Sequence, residues 1–80
     1  MYFVYIILSI NNPEQVYVGK TRNLKKRLSN HNSGTTPHTE KFKPWKLVTC
    51  ICFADEAKAI AFEQYLKSGS GRAFRDKRLL

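Results

Sequence analysis

Residues 16–31 read VYVGKTRNLKKRLSNH: a short apolar run, a glycine, then a segment with helical spacing. Leu24 and Leu28 lie four apart, and so do Arg27 and His31. Helical residues three and four apart share a face, so the arginine and the histidine point roughly where the leucines point. A surface helix of a globular domain turns its apolar stripe toward the core. Two polar cationic groups on that side call for a partner inside the domain.

The residues before this stretch supply a surface for the helix to cover. Residues 2–10 are rich in β-branched and aromatic types and almost continuously apolar, as expected of a central strand buried on both faces. NNPEQ is turn chemistry and VYVGK a second strand, so the two form an antiparallel hairpin. A loop over residues 11–15 sets Ile10 opposite Val16, Ser9 opposite Tyr17 and Ile7 opposite Gly19. Odd positions then pair with odd, which puts Tyr5 and Tyr17 on one face of the hairpin.

The first helix starts near Asn23, with Thr21 or Asn23 as its cap, and ends near Asn32. NSGTTPHTEKFKP reads as a basic, hydroxyl-rich loop and WKLVTCICFA as a third strand. DEAKAIAFEQYLKSG reads as a second helix capped by Asp55 and stopped at Gly69. A hinge-like SGSG then leads into a short basic helix, RAFRDKRLL. The order is β-β-α-β-α-α in one domain over residues 1–80. This is an α/β (α+β) fold with a small, mostly antiparallel three-stranded sheet packed against helices.

A chain of 80 residues buries a thin core, and a hydrophobic content of 42%, ordinary for a globular protein, argues against disorder. The net charge of +8 points to a polyanionic partner, nucleic acid first, although a basic surface also serves plain solubility. Cys50 and Cys52 are neighbours on one strand, poorly placed for a mutual disulfide. With His31 and His38 they make none of the spacings that read as zinc sites. Reduced thiols and a cytoplasmic location are the expectation. MYFVYIILSI lacks a basic leader and a small-residue cleavage site. It is also far shorter than the ~20 residues of a spanning helix, so no membrane association is expected.

Four polar positions resist explanation by packing: Tyr5 and Tyr17 on the sheet, Arg27 and His31 on the helix. If the helix covers the tyrosine-bearing face, the four converge. A phenol is a poor base unless nearby cations lower its pKa; Arg27 and Lys20 supply that field, and both suit a phosphate. Each residue also has a plain reading. Strand tyrosines pack well, an arginine snorkels, and a histidine at a helix end favours the dipole. Glu63 borders the apolar side of its helix. It reads equally as an ion pair with Lys67 or as a hard-oxygen ligand for Mg²⁺.

FVY at 3–5, YVG at 17–19, the run KTRNLKKRLSNH and a later helix carrying Glu63 resemble the GIY-YIG nuclease superfamily over nearly the whole chain, and most of all its small stand-alone members. The resemblance implies DNA phosphodiester cleavage with a single divalent metal, Mg²⁺ or alternatively Mn²⁺. By position it implies that Tyr5, Tyr17, Arg27 and His31 are catalytic and that Glu63 holds the metal. Lys20 matches a lysine that follows the second tripeptide in some members. Tyr17 is the first candidate for the base and Tyr5 with His31 the second; Arg27 steadies the phosphate. Lys20, Lys26, Arg72 and Arg75 are candidates for phosphate and DNA contact. Many members place an asparagine beyond the glutamate, but residues 64–80 hold no asparagine and no proline. Ser68, Ser70 or Arg72 are the available substitutes.

These residues imply a metal-dependent endonuclease in DNA repair or recombination, directed by DNA shape or branching because no element advertises itself for the major groove. A protein partner supplying specificity is compatible with so short a chain. Two other classes fit the same charge: a nucleic-acid-binding module without chemistry, and an interaction subunit.

Overall fold

A computed structural model describes residues 1–80 and has the expected architecture. β1 (Tyr2–Ser9) lies between β2 (Val16–Thr21) and β3 (Trp45–Phe53), and both pairings are antiparallel. Helices cover both faces of this sheet. The even-numbered positions of β1 and β2, Val4, Ile6 and Val18, pack with Ala59 and Leu66 of α3 (Glu56–Lys67). The odd-numbered positions Tyr5 and Ile7 pack with Trp45, and with Leu24 and Leu28 of α1 (Leu24–Ser33). β1 is therefore paired along both edges and covered on both faces, which is why its sequence is a continuous apolar run.

The hairpin register differs from the expected one by two residues. Leu8 faces Val16, Ile7 faces Tyr17 and Tyr5 faces Gly19. The turn is longer because Ser9 closes it with its backbone and its side chain: its amide donates to Gln15 O at 3.1 Å, and its Oγ accepts from the Asn12 amide. A shift of two keeps the parity, so Tyr5 and Tyr17 still share a face. It also brings the Tyr5 ring over Gly19. A Cβ on residue 19 would lie 2.5 Å from Tyr5 Cζ, so glycine here makes room for the phenol.

β3 carries an irregularity absent from the sequence reading. Ile6 faces Thr49 but Ile7 faces Leu47, which leaves Val48 as the extra residue of a bulge. The bulge reverses the parity of the strand before it. Trp45 and Cys50 would otherwise look to opposite faces, yet both pack on the Tyr5 side.

Two further expectations are corrected. The segment read as a loop contains a one-turn helix, α2 (Pro37–Glu40), whose proline in the first turn is pre-set for helical φ. Gly69 does not stop the second long helix. Ser68 ends α3 and at once caps α4 (Gly69–Phe74) through its Oγ on the Gly71 amide, and the chain continues as a π-helical turn over Arg75–Leu79. The SGSG segment is thus a sharp corner between helices and the start of the next one, because a serine cap is satisfied there. Cys50 and Cys52 are both free thiols.

Candidate active site

Asn23 begins α1 by accepting the Lys26 amide on its Oδ1, while Thr21 Oγ1 accepts the Asn23 amide, so both proposed caps are used. Gly34 ends the helix one residue after Ser33 with φ of +82°, a left-handed conformation that glycine adopts at no steric cost. Between these limits Leu24 and Leu28 hold the helix on the sheet. That seating carries Arg27 and His31 to the tyrosines.

The four groups converge. Tyr5 Oη lies 2.7 Å from His31 Nε2, and Arg27 Nε donates to the same oxygen at 3.3 Å. His31 Nδ1 lies 2.7 Å from Thr39 Oγ1, which in turn donates to Thr36 O. One proton arrangement satisfies every group: Arg27 donates to Tyr5, Tyr5 to Nε2, and Nδ1–H to Thr39. Tyr17 completes the cluster with its ring 5.0 Å from the imidazole and 6.3 Å from the Tyr5 ring.

Burial separates the two tyrosines. Tyr5 and His31 are 1% and 0% exposed, whereas Tyr17 and Arg27 are half-buried. Burial raises the Tyr5 phenol above its ordinary pKa, and Tyr17 and Glu63 add to the rise. The Arg27 hydrogen bond and charge oppose this without overcoming it. Burial first and the Arg27 charge second lower the His31 imidazole, which favours its neutral form. Arg27 is held firmly cationic, chiefly by its bond to Tyr5. Tyr5 is thereby a neutral donor to a neutral histidine, because burial outweighs the cationic field that a Tyr5 base would need. Tyr17 is the phenol with access to solvent.

The remaining sequence candidates scatter. Lys20 sits at an even position of β2, on the opposite face from Tyr17, and reaches Glu56 at 3.9 Å. It adds no charge beside the phenols, because strand side chains alternate. Lys26 is exposed on α1. Glu63 approaches from α3 beyond β2, with its side chain 20% exposed and 3.4 Å from Lys67 Nζ. Arg72 and Arg75 line a cavity of about 260 Å³ with Val16, Tyr17, Val18 and Lys67. Ser68 is committed to Tyr65 O and the Gly71 amide and is not a substitute for the family asparagine. Thr39, which orients the histidine, carried no mark in a segment read as loop; the Thr36-Pro37 helix start was the signal that could have found it.

A divalent cation fits this donor set only in one way. No group of three or more His, Cys, Asp or Glu side chains exists, so there is no preformed cage. Glu63 is a single hard carboxylate on α3 whose charge is felt at Tyr5, and one carboxylate suits a divalent cation that keeps most of its waters.

Comparison with known proteins identifies the family. The family model described as the GIY-YIG catalytic domain matches residues 1–77. The "structure-specific endonuclease subunit SLX1" of Candida dubliniensis is 36% identical over 73 residues, covering 82% of this chain and 26% of that protein. Its counterpart in Debaryomyces hansenii is 32% identical over 68 residues, covering 78% and 19%. This chain therefore spans about a quarter or less of the curated relatives it matches. In structure it is similar to the UPF0213 protein of Bacillus halodurans, solved by solution NMR, with a TM-score of 0.57 and 25% identity over 96% of this chain and 84% of that one. With the match running over residues 1–77, the chain belongs to the GIY-YIG family, as a GIY-YIG catalytic domain.

Proposed function

We propose that this domain is a metal-dependent endonuclease that hydrolyses DNA phosphodiesters and selects its substrate by structure, in DNA repair or recombination. The observation that carries the proposal is the convergence of Tyr5, Tyr17, Arg27 and His31 on one face of the sheet, with Arg27 still half-open to solvent. A buried chain of bonds fixes the phenol and the imidazole while the cation beside them stays accessible to a phosphate. The net charge of +8 supports a nucleic-acid substrate. The matched relatives are structure-specific endonuclease subunits, which supports both selection by structure and a protein partner.

Each side chain has a distinct task in this reading. Arg27 binds the scissile phosphate and neutralises the charge that develops on it. Tyr17, in its deprotonated form beside the Arg27 cation, takes the proton of the attacking water and becomes the neutral phenol. Tyr5, His31 and Thr39 hold Arg27 Nε in place, and Glu63 is the residue that would hold the metal. When bound, Mg²⁺ or Mn²⁺ supplies Lewis-acid stabilisation of the leaving oxygen. Lys26 on the exposed side of α1 contributes to general DNA attraction.

The Glu63–Lys67 ion pair favours a second reading, in which the carboxylate is engaged and the domain only binds DNA. One experiment separates the two. Linear, nicked, flapped and four-way DNA is incubated with the protein in Mg²⁺ or Mn²⁺, alongside Glu63→Gln and Tyr17→Phe. We expect cleavage of the branched forms, lowered about 10²- to 10⁴-fold by Tyr17→Phe, the usual range for a lost acid–base group. Cleavage that survives undiminished in both variants overturns the enzyme reading, and salt-sensitive binding without any cutting supports the binding module.

A further inference from the structure

Beside β2 lies a cavity of about 260 Å³, of whose lining residues only Tyr17 has a role in the chemistry assigned above. Its wall is three consecutive residues of an edge strand, Val16, Tyr17 and Val18. An edge strand leaves alternate backbone N–H groups unpaired, so at least one donor among three successive residues looks outward. The opposite wall is Lys67, Arg72 and Arg75, and no acidic residue lines the space. Among the ion pairs of the chain, Lys67 and Arg75 are each engaged by one carboxylate, Glu63 and Asp76, and Arg72 by none. A guanidinium has five N–H donors, so Arg75 keeps donors to offer after its single contact of 3.0 Å to Asp76.

We infer that this cavity is an anion subsite for the phosphate adjacent to the scissile one in the bound DNA strand. The inference rests on the endonuclease reading for its substrate and extends it by a second phosphate contact. Charge supports a phosphate over a base, since three of the six lining residues are cations and none is acidic. Placement supports adjacency. Tyr17 belongs both to the cavity wall and to the phenol–imidazole cluster. Lys67 lines the cavity while pairing with Glu63, so a phosphate here lies one side chain away from the carboxylate that would hold the metal. Two arginines fork onto a phosphate with better geometry than lysines, and a fixed second contact sets the strand's position.

The test is a titration of ¹⁵N-labelled protein with inorganic phosphate and, separately, with a thymidine dinucleotide, followed by NMR. Both probes are expected to move the Val16–Val18 amides and the Arg72 and Arg75 Nε signals together. Arg72→Gln and Arg75→Gln are each expected to weaken binding about tenfold, the value of one lost charge-assisted hydrogen bond. Lys46→Gln, a loss of equal charge on β3 at the other edge of the sheet, serves as the control and is expected to change binding less than about twofold. Shifts that avoid β2, or equal losses in all three variants, overturn the subsite. Binding of inorganic phosphate but not of the dinucleotide overturns its role for a strand. None of these outcomes depends on cutting: a protein that cleaves branched DNA while failing this titration keeps the endonuclease reading and loses the subsite, and the converse also holds.

Discussion

Replacing Tyr5 by Phe removes one oxygen from the centre of the cluster and leaves the ring that covers Gly19 in place. Two contacts disappear, to His31 Nε2 at 2.7 Å and from Arg27 Nε at 3.3 Å. They are unequal in consequence. Arg27 is half-buried and turns to water, whereas His31 is fully buried and its Nε2 is left without a partner. An unsatisfied buried polar group costs about 1–3 kcal/mol. For a domain of this size that corresponds to a melting temperature lower by at least ~4–8 °C. Urea unfolding at pH 7.5, with Tyr17→Phe as the companion, provides the assay. Tyr17 lies outside the Arg27–Tyr5–His31–Thr39 chain, so its substitution is expected to fall within about 0.5 kcal/mol of the parent, the range of surface changes, while lowering cleavage about 10²- to 10⁴-fold. A Tyr5→Phe loss equally small would refute the reasoning, because it would mean that the buried imidazole does not depend on the phenol.

The two buried titratable groups bound the stable pH range from either side. His31 is lowered in the folded state, so below its unfolded pKa of about 6.5 the unfolded chain binds a proton that the folded one does not. Stability is therefore full above that value and declines as pH falls beneath it, by at most about 1.4 kcal/mol per pH unit for this one group. Tyr5 is raised, so its contribution is present below pH ~10 and is lost as pH rises beyond it. Chemical denaturation from pH 5 to 11 should show both declines, and His31→Gln should flatten the acid one. At the α3–α4 corner, neighbouring glycines are expected to respond with opposite sign. A Cβ at Gly71 overlaps the Tyr65 carbonyl and comes within 2.9 Å of Leu66 Cα, so Gly71→Ala should destabilise by at least the ~1–3 kcal/mol of an overpacked site. Nothing stands within 4 Å of a Cβ at Gly69, and Gly69→Ala should stabilise by about 0.4–1 kcal/mol, both read from urea midpoints. Glu63→Gln should remove Mn²⁺ binding measured by electron paramagnetic resonance in the presence of uncleaved DNA. Retained binding there would deny Glu63 its role as metal ligand.

Much of this domain follows from periodicity alone. An uninterrupted apolar run in residues 2–10 is stable only in the middle of a sheet, and the 3.6-residue spacing of Leu24 and Leu28 demands a helix lying on it. Even the meeting of Tyr5 with Tyr17 was legible, since parity survives a register error of two. The remainder depends on contacts between residues far apart in the chain, which no local pattern encodes. The sequence does not show that Tyr5 is the buried partner of His31 and Tyr17 the accessible phenol; the fit of α1 against Gly19 and Thr39 decides it. It does not reveal that Lys20 is spent on Glu56, or that the Val48 bulge turns Trp45 toward the tyrosine face. Burial is a property of the assembled layers, and burial is what makes one tyrosine a fixed donor and leaves the other open to solvent.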